Sequence, residues 1–135
     1  AVEYVRLAKS KSINTIFLAS PATNDMRLDS IIDSTSGFLY MVSLFGVTGT
    51  RDLFTEYSSQ ATKRIVEKVN GRVPVAVGFG ISRPEHVSNF TKLGVDGVIV
   101  GSAFIKIIED NLNNTDLMID KLNNLAKELS QATSN

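Results

Sequence analysis

Short apolar runs alternate with longer helical patterns from about residue 12 onward, and this alternation constrains the fold more than any other feature of the chain. The runs are rich in β-branched and aromatic residues, which predicts strands, and each precedes a stretch whose apolar residues recur every three or four positions. Four such units fit. The predicted strands are residues 15–19, 38–43, 73–77 and 98–100. A series of βα units favours an α/β fold with a parallel sheet.

The predicted helices carry recognisable start and stop signals. Asn24 or Asp25 can cap the helix after the first strand, and residues 82–85 (Ser-Arg-Pro-Glu) have the sequence of a capping box. Gly71 and Gly94 are placed to end the helices that precede strands three and four. The last helix has an apolar stripe formed by Met118, Leu122, Leu125 and Leu129.

The predicted strands are apolar nearly throughout, which is typical of a parallel sheet buried on both faces, as in a barrel wall or a doubly wound sheet. Four strands of a barrel would leave two unpaired edges and an open concave face, to be closed by a missing half, a second copy or another subunit. The chain opens with Ala1, and residues 2–8 have the pattern of a helix already under way. We therefore expect a single domain (residues 1–135) from a processed or truncated product, although methionine removal would give the same first residue.

Charge and composition narrow the possible partners. Fourteen basic residues balance fourteen acidic ones, so no overall field favours nucleic acid or an anionic membrane surface, and a small ligand is expected instead. The absence of cysteine excludes disulfides and thiolate chemistry. The sequence also has no signal-like or membrane-length apolar run, and the two observations together favour a cytoplasmic protein. No cluster of ligands predicts a metal or another cofactor, and His86 is expected on the surface or rim.

Glycines concentrate at the carboxyl ends of the predicted strands, which is the functional face of βα folds. They are Gly46, Gly49, Gly78, Gly80 and Gly101. A backbone N–H group reaches an anion only where no side chain blocks it, and the start of a helix adds partial positive charge. Gly80, Gly101 and Ser102, which can also cap a short helix, are therefore candidates for a phosphate site. For any one glycine the alternative is a tight turn without a ligand.

Three ordered motifs resemble those of tryptophan synthase alpha subunits. Residues 40–51 resemble the strand-six motif Y-x-V-S-x-x-G-V-T-G-x-R, residues 77–82 contain the strand-seven G-F-G-I-S, and residues 94–103 are similar to the strand-eight segment. Residues 16–21 are similar to the fifth strand, so the resemblance covers essentially the whole chain. It implies a (β/α)8 TIM barrel, of which this chain would be the C-terminal half, strands five to eight.

The resemblance also implies a function. The family's alpha subunit is a carbon–carbon lyase that cleaves indole-3-glycerol phosphate to indole and glyceraldehyde 3-phosphate and passes the indole to a beta subunit. The implied substrate-binding residues are Gly49, Gly80, Gly101 and Ser102 at the phosphate, Phe79 in the pocket wall, and Tyr40 and Thr48 at the reacting end. Residues 44–54 would form a mobile loop, in which Thr48 would position a catalytic aspartate.

The chain departs from the family pattern in its acids. The two catalytic carboxylates of the family come from the first half of the barrel, and nothing here corresponds to them. Each general acid or base contributes roughly 10²–10⁴-fold to rate, so we expect binding at best and no catalytic residue in this chain. The local acids, expected to be caps, loop or structural residues, are Asp25, Asp52, Glu56 and Asp96. The cations of one helix, expected to be a solvated face, are Lys63, Arg64, Lys68 and Arg72.

Three hypotheses follow from the sequence. The first is part of a lyase subunit. The second is another phosphate-binding barrel, such as an indole-glycerol-phosphate synthase or a relative of the phosphoribosyl isomerases, although the G-V-T-G loop argues against it. The third is a non-catalytic half barrel that associates with itself, as a binding module or an engineered folding unit.

Overall fold

The computed structural model describes residues 2–42 and 56–134. Their elements, in chain order, are α1 (Val2–Ser10), β1 (Leu18–Ala19), α2 (Asp25–Ser34), β2 (Leu39–Val42), α3 (Glu56–Val69), β3 (Val75–Gly78), α4 (Pro84–Thr91), β4 (Gly97–Ile99), α5 (Ser102–Asp110) and α6 (Thr115–Gln131). The four strands form one sheet in the order β1-β2-β3-β4, and all three pairs are parallel. The predicted α/β class and its consecutive βα units are therefore confirmed.

The two faces of the sheet differ in burial. Side chains of alternate strand residues lie on the outward face, under the helices, where Leu39, Met41 and Val77 are completely buried. On the inward face Tyr40 is half-buried and Leu18 is 59% exposed. The prediction that both faces are buried therefore holds for one face only, and the inward face is open, as expected of four strands taken from a barrel.

The helices cover the outward face because each presents an apolar stripe to it. Buried residues recur at helical spacing, and the largest of them is Phe90 in α4. The other buried apolar side chains of this layer are Leu28 and Ile32 of α2, Ile65 and Val69 of α3, Val87 of α4 and Leu129 of α6. Burial of one such side chain contributes about 1.5–3 kcal/mol, so this single layer of contacts holds the helices to the sheet.

A ladder of ion pairs, three of them shorter than 3.5 Å, joins α2 to α3 and to Arg72, three residues beyond the end of α3. These three are Arg64–Asp25 at 2.6 Å, Lys68–Asp29 at 2.9 Å and Arg72–Asp33 at 3.2 Å. The three acids recur every four residues along one face of α2, Arg64 and Lys68 do so along α3, and Arg72 follows beyond the end of α3. The expected solvated face is partly exposed, as predicted, but three of its four cations also pair with acids of α2, which the sequence did not predict.

Two of the predicted helix caps differ from the structure. Asn24 is confirmed, since its Oδ1 accepts a hydrogen bond from the Arg27 N–H at 2.9 Å. The capping box is wrong, because the N-cap of α4 is Arg83 rather than Ser82, and no side chain caps it. Pro84 explains the shift, since proline favours the first helical position and holds the preceding residue extended. Ser102 is likewise the first residue of α5 and not its cap.

Candidate functional site

Three strands end at the same level on one edge of the sheet. Val42 lies opposite Gly78 in the ladder of β2 and β3, and Gly78 lies opposite Ile99 in that of β3 and β4. Gly80 and Gly101 each follow these paired residues by two positions. The turns after β3 and β4 therefore start side by side at the carboxyl edge. Residues 43–55, which include Thr48 and Gly49, lie outside the described residues.

The turn after β3 has two successive residues in the left-handed region. Phe79 has φ of 82° and Gly80 has φ of 74°. Glycine adopts this conformation at no steric cost, whereas a residue with a Cβ is strained by roughly 1–2 kcal/mol. The Phe79 side chain is 65% exposed at this edge. The turn therefore holds an aromatic ring at the mouth of the sheet at a conformational cost.

The turn after β4 presents the start of a helix. Gly101 is the N-cap of α5, and a Cβ built on it meets no atom of the described residues within 4 Å. Among the described residues no side chain forms a capping hydrogen bond here, and Ser102 is exposed. The first amide groups of a helix have no acceptor within the helix, and its dipole favours an anion at this end. The amides of Ser102 and Ala103 can therefore serve an external acceptor.

Tyr40 lies across Gly78 on the inward face. A Cβ on Gly78 would overlap the Tyr40 hydroxyl and would lie 2.6 Å from Tyr40 Cζ, well inside contact distance. Tyr40 pairs with Ala76, so Gly78 is its diagonal neighbour on the adjacent strand. Gly78 thus makes room for the ring that the resemblance assigns to the reacting end. The sequence reasoning did not include Gly78 in the site, although the register of β2 and β3, once known, points to it.

Three of the four acids considered in the sequence analysis have structural contacts. Asp25 pairs with Arg64, and Glu56 Oε1 accepts from the Gln60 amide at 3.1 Å. Asp96 Oδ2 accepts from the Val75 N–H at 2.8 Å, which places it at the amino end of β3, opposite the candidate site and as predicted. Asp52 lies outside the described residues.

His86 is half-buried in the first turn of α4. Its Nε2 lies 3.2 Å from Arg83 Nε, and its Nδ1 lies 3.4 Å from the Ser82 amide nitrogen. Within residues 2–42 and 56–134, no group of three His, Cys, Asp or Glu side chains is arranged to hold a metal ion. Over the same residues, no helix combines the length and apolar character needed to cross a membrane.

Comparison with known proteins decides the family. The tryptophan synthase alpha chain family model matches residues 1–134. The chain belongs to the tryptophan synthase alpha chain family. The alpha chain of Methanothermobacter thermautotrophicus is 42% identical to this chain over 132 residues, and that of Pyrococcus furiosus is 43% identical to it over 126 residues. The family match argues against the second hypothesis, which was another kind of phosphate-binding barrel.

Solved alpha-subunit structures agree with the fold. The Pyrococcus furiosus tryptophan synthase α2β2 complex contains a chain that superposes with a TM-score of 0.81 at 40% identity, covering 96% of this chain and 50% of that one. Another structure of the alpha subunit from the same organism gives a TM-score of 0.80 at 38% identity. The described sheet and helices thus match half of an alpha-subunit TIM barrel. The chain spans about half the length of the curated relatives it matches, 48% in the case of Methanothermobacter.

Proposed function

We propose that this chain is the C-terminal half of a tryptophan synthase alpha chain, strands five to eight of its barrel, and that its carboxyl edge binds the phosphate of indole-3-glycerol phosphate. The observation that carries the proposal is the common level at which β3 and β4 end, with Gly80 and Gly101 two residues beyond paired positions. Residues 1–135 act as one domain in this proposal, and the expected cytoplasmic location goes with it.

The chemistry of the edge suits a phosphate dianion. Phosphate oxygens accept hydrogen bonds from bare backbone amides, and the start of a helix supplies both the amides and a favourable partial charge. Gly101 and Ser102 offer these at α5, and the left-handed Gly80 exposes backbone at the neighbouring turn. Gly49, from residues 43–55, completes the set of phosphate contacts in the proposal.

The organic part of the substrate would lie along the inward face. Phe79 is exposed at the mouth, and the Tyr40 ring lies deeper, against Gly78. Aromatic rings of this kind provide flat apolar contacts for an indole. Thr48 would face the same reacting end. The acids that move protons during cleavage are supplied from outside this half, so the half alone binds the substrate without turning it over.

The beta subunit is the proposed partner of the complete enzyme. The Pyrococcus furiosus relative is described in an α2β2 complex with mutual activation of its subunits. In this proposal the complete lyase releases glyceraldehyde 3-phosphate and passes indole to the beta subunit.

Substitution of Gly101 by valine tests the phosphate site. The Cβ position of Gly101 is open among the described residues, but its φ of −123° and ψ of −69° lie outside the main regions for residues with a Cβ, so circular dichroism first checks that the variant keeps the fold. Loss of one hydrogen bond to a charged group costs about 1.5–3 kcal/mol, so we expect glycerol 3-phosphate to bind roughly tenfold to a hundredfold more weakly. Isothermal titration calorimetry measures this change.

A matched control is Gly97→Ala, at the amino end of β4 and four residues before Gly101, where the nearest described side chain lies 3.9 Å from the new Cβ. We expect its affinity to equal that of the unchanged chain. Gly80 is less suitable as a first target, because its φ of 74° adds backbone strain to any substitution. Equal binding by the Gly101→Val and Gly97→Ala chains would refute the site.

A further inference from the structure

Asn70 is the only asparagine in the chain that is followed by glycine. The pair comes directly after the end of α3, and both residues are exposed. Both have a left-handed backbone, with φ of 49° at Asn70 and 70° at Gly71, which asparagine and glycine adopt more readily than other residues do. A Cβ built on Gly71 meets no atom of the described residues within 4 Å. The Gly71 backbone is therefore open to solvent.

The peptide group between Asn70 and Gly71 forms no hydrogen bond with the described residues. The flanking amides are bonded, since the Asn70 N–H donates to the Val66 carbonyl at 3.0 Å and the Arg72 N–H donates to the Val69 carbonyl at 3.1 Å. Neither the Gly71 N–H, the Asn70 carbonyl nor the Asn70 side chain has a partner in this part of the chain. The peptide group can therefore rotate without losing a hydrogen bond, and such a local rearrangement costs little free energy.

The other described asparagines lack this combination. Their side-chain oxygen accepts a hydrogen bond, or the next amide donates one, or the residue lies within a helix. In that order they are Asn24, Asn111 and Asn114; Asn14 and Asn113; and Asn89, Asn123 and Asn124. Each is also followed by a residue with a Cβ. Asn70 is therefore the asparagine whose side chain and following amide are both unrestrained.

We propose that the folded chain deamidates at Asn70. The Gly71 backbone nitrogen loses its proton and attacks Asn70 Cγ, so that a C–N bond forms while the Cγ–Nδ2 bond breaks and ammonia leaves with the proton. Water then opens the resulting succinimide at either carbonyl, which leaves aspartate or isoaspartate at position 70 without a change of oxidation state. Glycine favours the attack because no side chain shields its nitrogen, and asparagine is a thermolabile residue.

The products differ from the unchanged chain in charge and in backbone. Either one adds a negative charge to a chain whose formal net charge is zero. Isoaspartate also adds a methylene to the main chain between Val69 and Val75, the buried residues that end α3 and begin β3. The turn lies at the amino end of β3, opposite the candidate phosphate site, so the reaction does not depend on the proposed function.

Timed incubation of the folded chain in mildly alkaline buffer, which promotes loss of the amide proton, tests the proposal. Trypsin cleaves after Lys68 and Arg72, so mass spectrometry reads position 70 in the peptide of residues 69–72. We expect conversion there to be about tenfold or more faster than at any other described asparagine, and within about tenfold of its rate in a free peptide of residues 66–75. An acidic form should appear in isoelectric focusing, and a methyltransferase that esterifies isoaspartyl carboxylates should label it.

Two variants make the test specific. Asn70→Gly removes the amide and keeps the left-handed turn at no steric cost, so this acidic form should not appear. Asn113→Gly is the matched control, because it removes another exposed asparagine and should leave the acidic form unchanged. Three outcomes overturn the proposal: conversion of the free peptide but not of the folded chain, equal conversion at the other asparagines, or an acidic form that persists in Asn70→Gly. Glycerol 3-phosphate binding by Gly101→Val, in contrast, bears on the phosphate site alone.

Discussion

Replacing Gly78 with alanine would place a methyl group where the Tyr40 ring now lies. The new Cβ would be 2.6 Å from Tyr40 Cζ and 3.2 Å from Ile99 Cβ, whereas carbon atoms in contact are usually about 3.5–4.0 Å apart. The ring must therefore move by about 1 Å. Gly78 is not among the residues with positive φ, so its backbone accepts alanine and the cost comes from the ring.

The expected magnitude is the difference of two effects. Overpacking a well-filled position costs about 1–3 kcal/mol, and the smaller conformational freedom of unfolded alanine offsets about 0.4–1 kcal/mol. Tyr40 is half-buried and faces the open side of the sheet, so it can yield partly. We expect Gly78→Ala to lower the free energy of unfolding by about 1–2 kcal/mol, measured by urea denaturation with circular dichroism.

Two further chains make this prediction specific. Gly97→Ala is the matched control, because among the described residues its Cβ would meet Ala76 Cβ alone, at 3.9 Å, and we expect it to be neutral or slightly stabilising. Tyr40→Ala removes the obstructing ring. In the double variant the penalty of Gly78→Ala should largely disappear, giving a coupling energy of about 1–2 kcal/mol. A penalty of the same size with and without the Tyr40 ring would refute the reasoning.

Two other predictions concern the helices. Asp29→Asn removes the 2.9 Å ion pair with Lys68 and the 3.9 Å approach of Arg72. Because these groups are partly exposed, we expect the free energy of unfolding, measured in urea, to fall by about 0.5 kcal/mol in low salt and by less in 1 M salt. An equal loss in both salt concentrations would contradict an ionic origin. Asn24→Ala removes the cap of α2 and should lower the free energy of unfolding by about 0.5–2 kcal/mol. Ser82 caps no helix, so Ser82→Ala should change it by less than about 0.5 kcal/mol. The reverse ranking in the same assay would contradict the cap assignment.

Local signals in the sequence were sufficient for the element order. Asn24 caps α2 as predicted, and Gly71 and Gly94 have positive φ just beyond the ends of α3 and α4. The described residues of α6 that are not exposed are the four of its predicted apolar stripe, Met118, Leu122, Leu125 and Leu129. These features depend on residues close together in the chain, which is why a sequence pattern predicts them.

Features that depend on distant residues were missed. Residues 15–19 read as one strand, but Thr15 instead bonds to the turn after α2, where its Oγ1 donates to the Ser34 carbonyl at 2.7 Å, and β1 is only Leu18–Ala19. The ion-pair ladder requires knowing that α2 lies beside α3. The overlap at Gly78 requires the strand register, which no local pattern supplies.

The candidate site was predictable in part. Parallel strands place their carboxyl ends at one edge, so the proximity of the turns at Gly80 and Gly101 follows from the βα order alone. The left-handed φ of Phe79 did not, because phenylalanine gives no signal for that conformation. The roles of Thr48 and Gly49 rest on the family resemblance and stay predictions.

The unequal faces of the sheet separate two kinds of residue. Leu39 and Val77 are buried by helices of the described half itself, so they govern whether this unit forms. Leu18 and Val42 point to the side that no described element covers, so they contribute little to that step, and in the proposed half barrel they are available for contact with the rest of the barrel. Substitutions in the first group should therefore change the stability of the described layer, whereas substitutions in the second should change mainly the contacts of the open face.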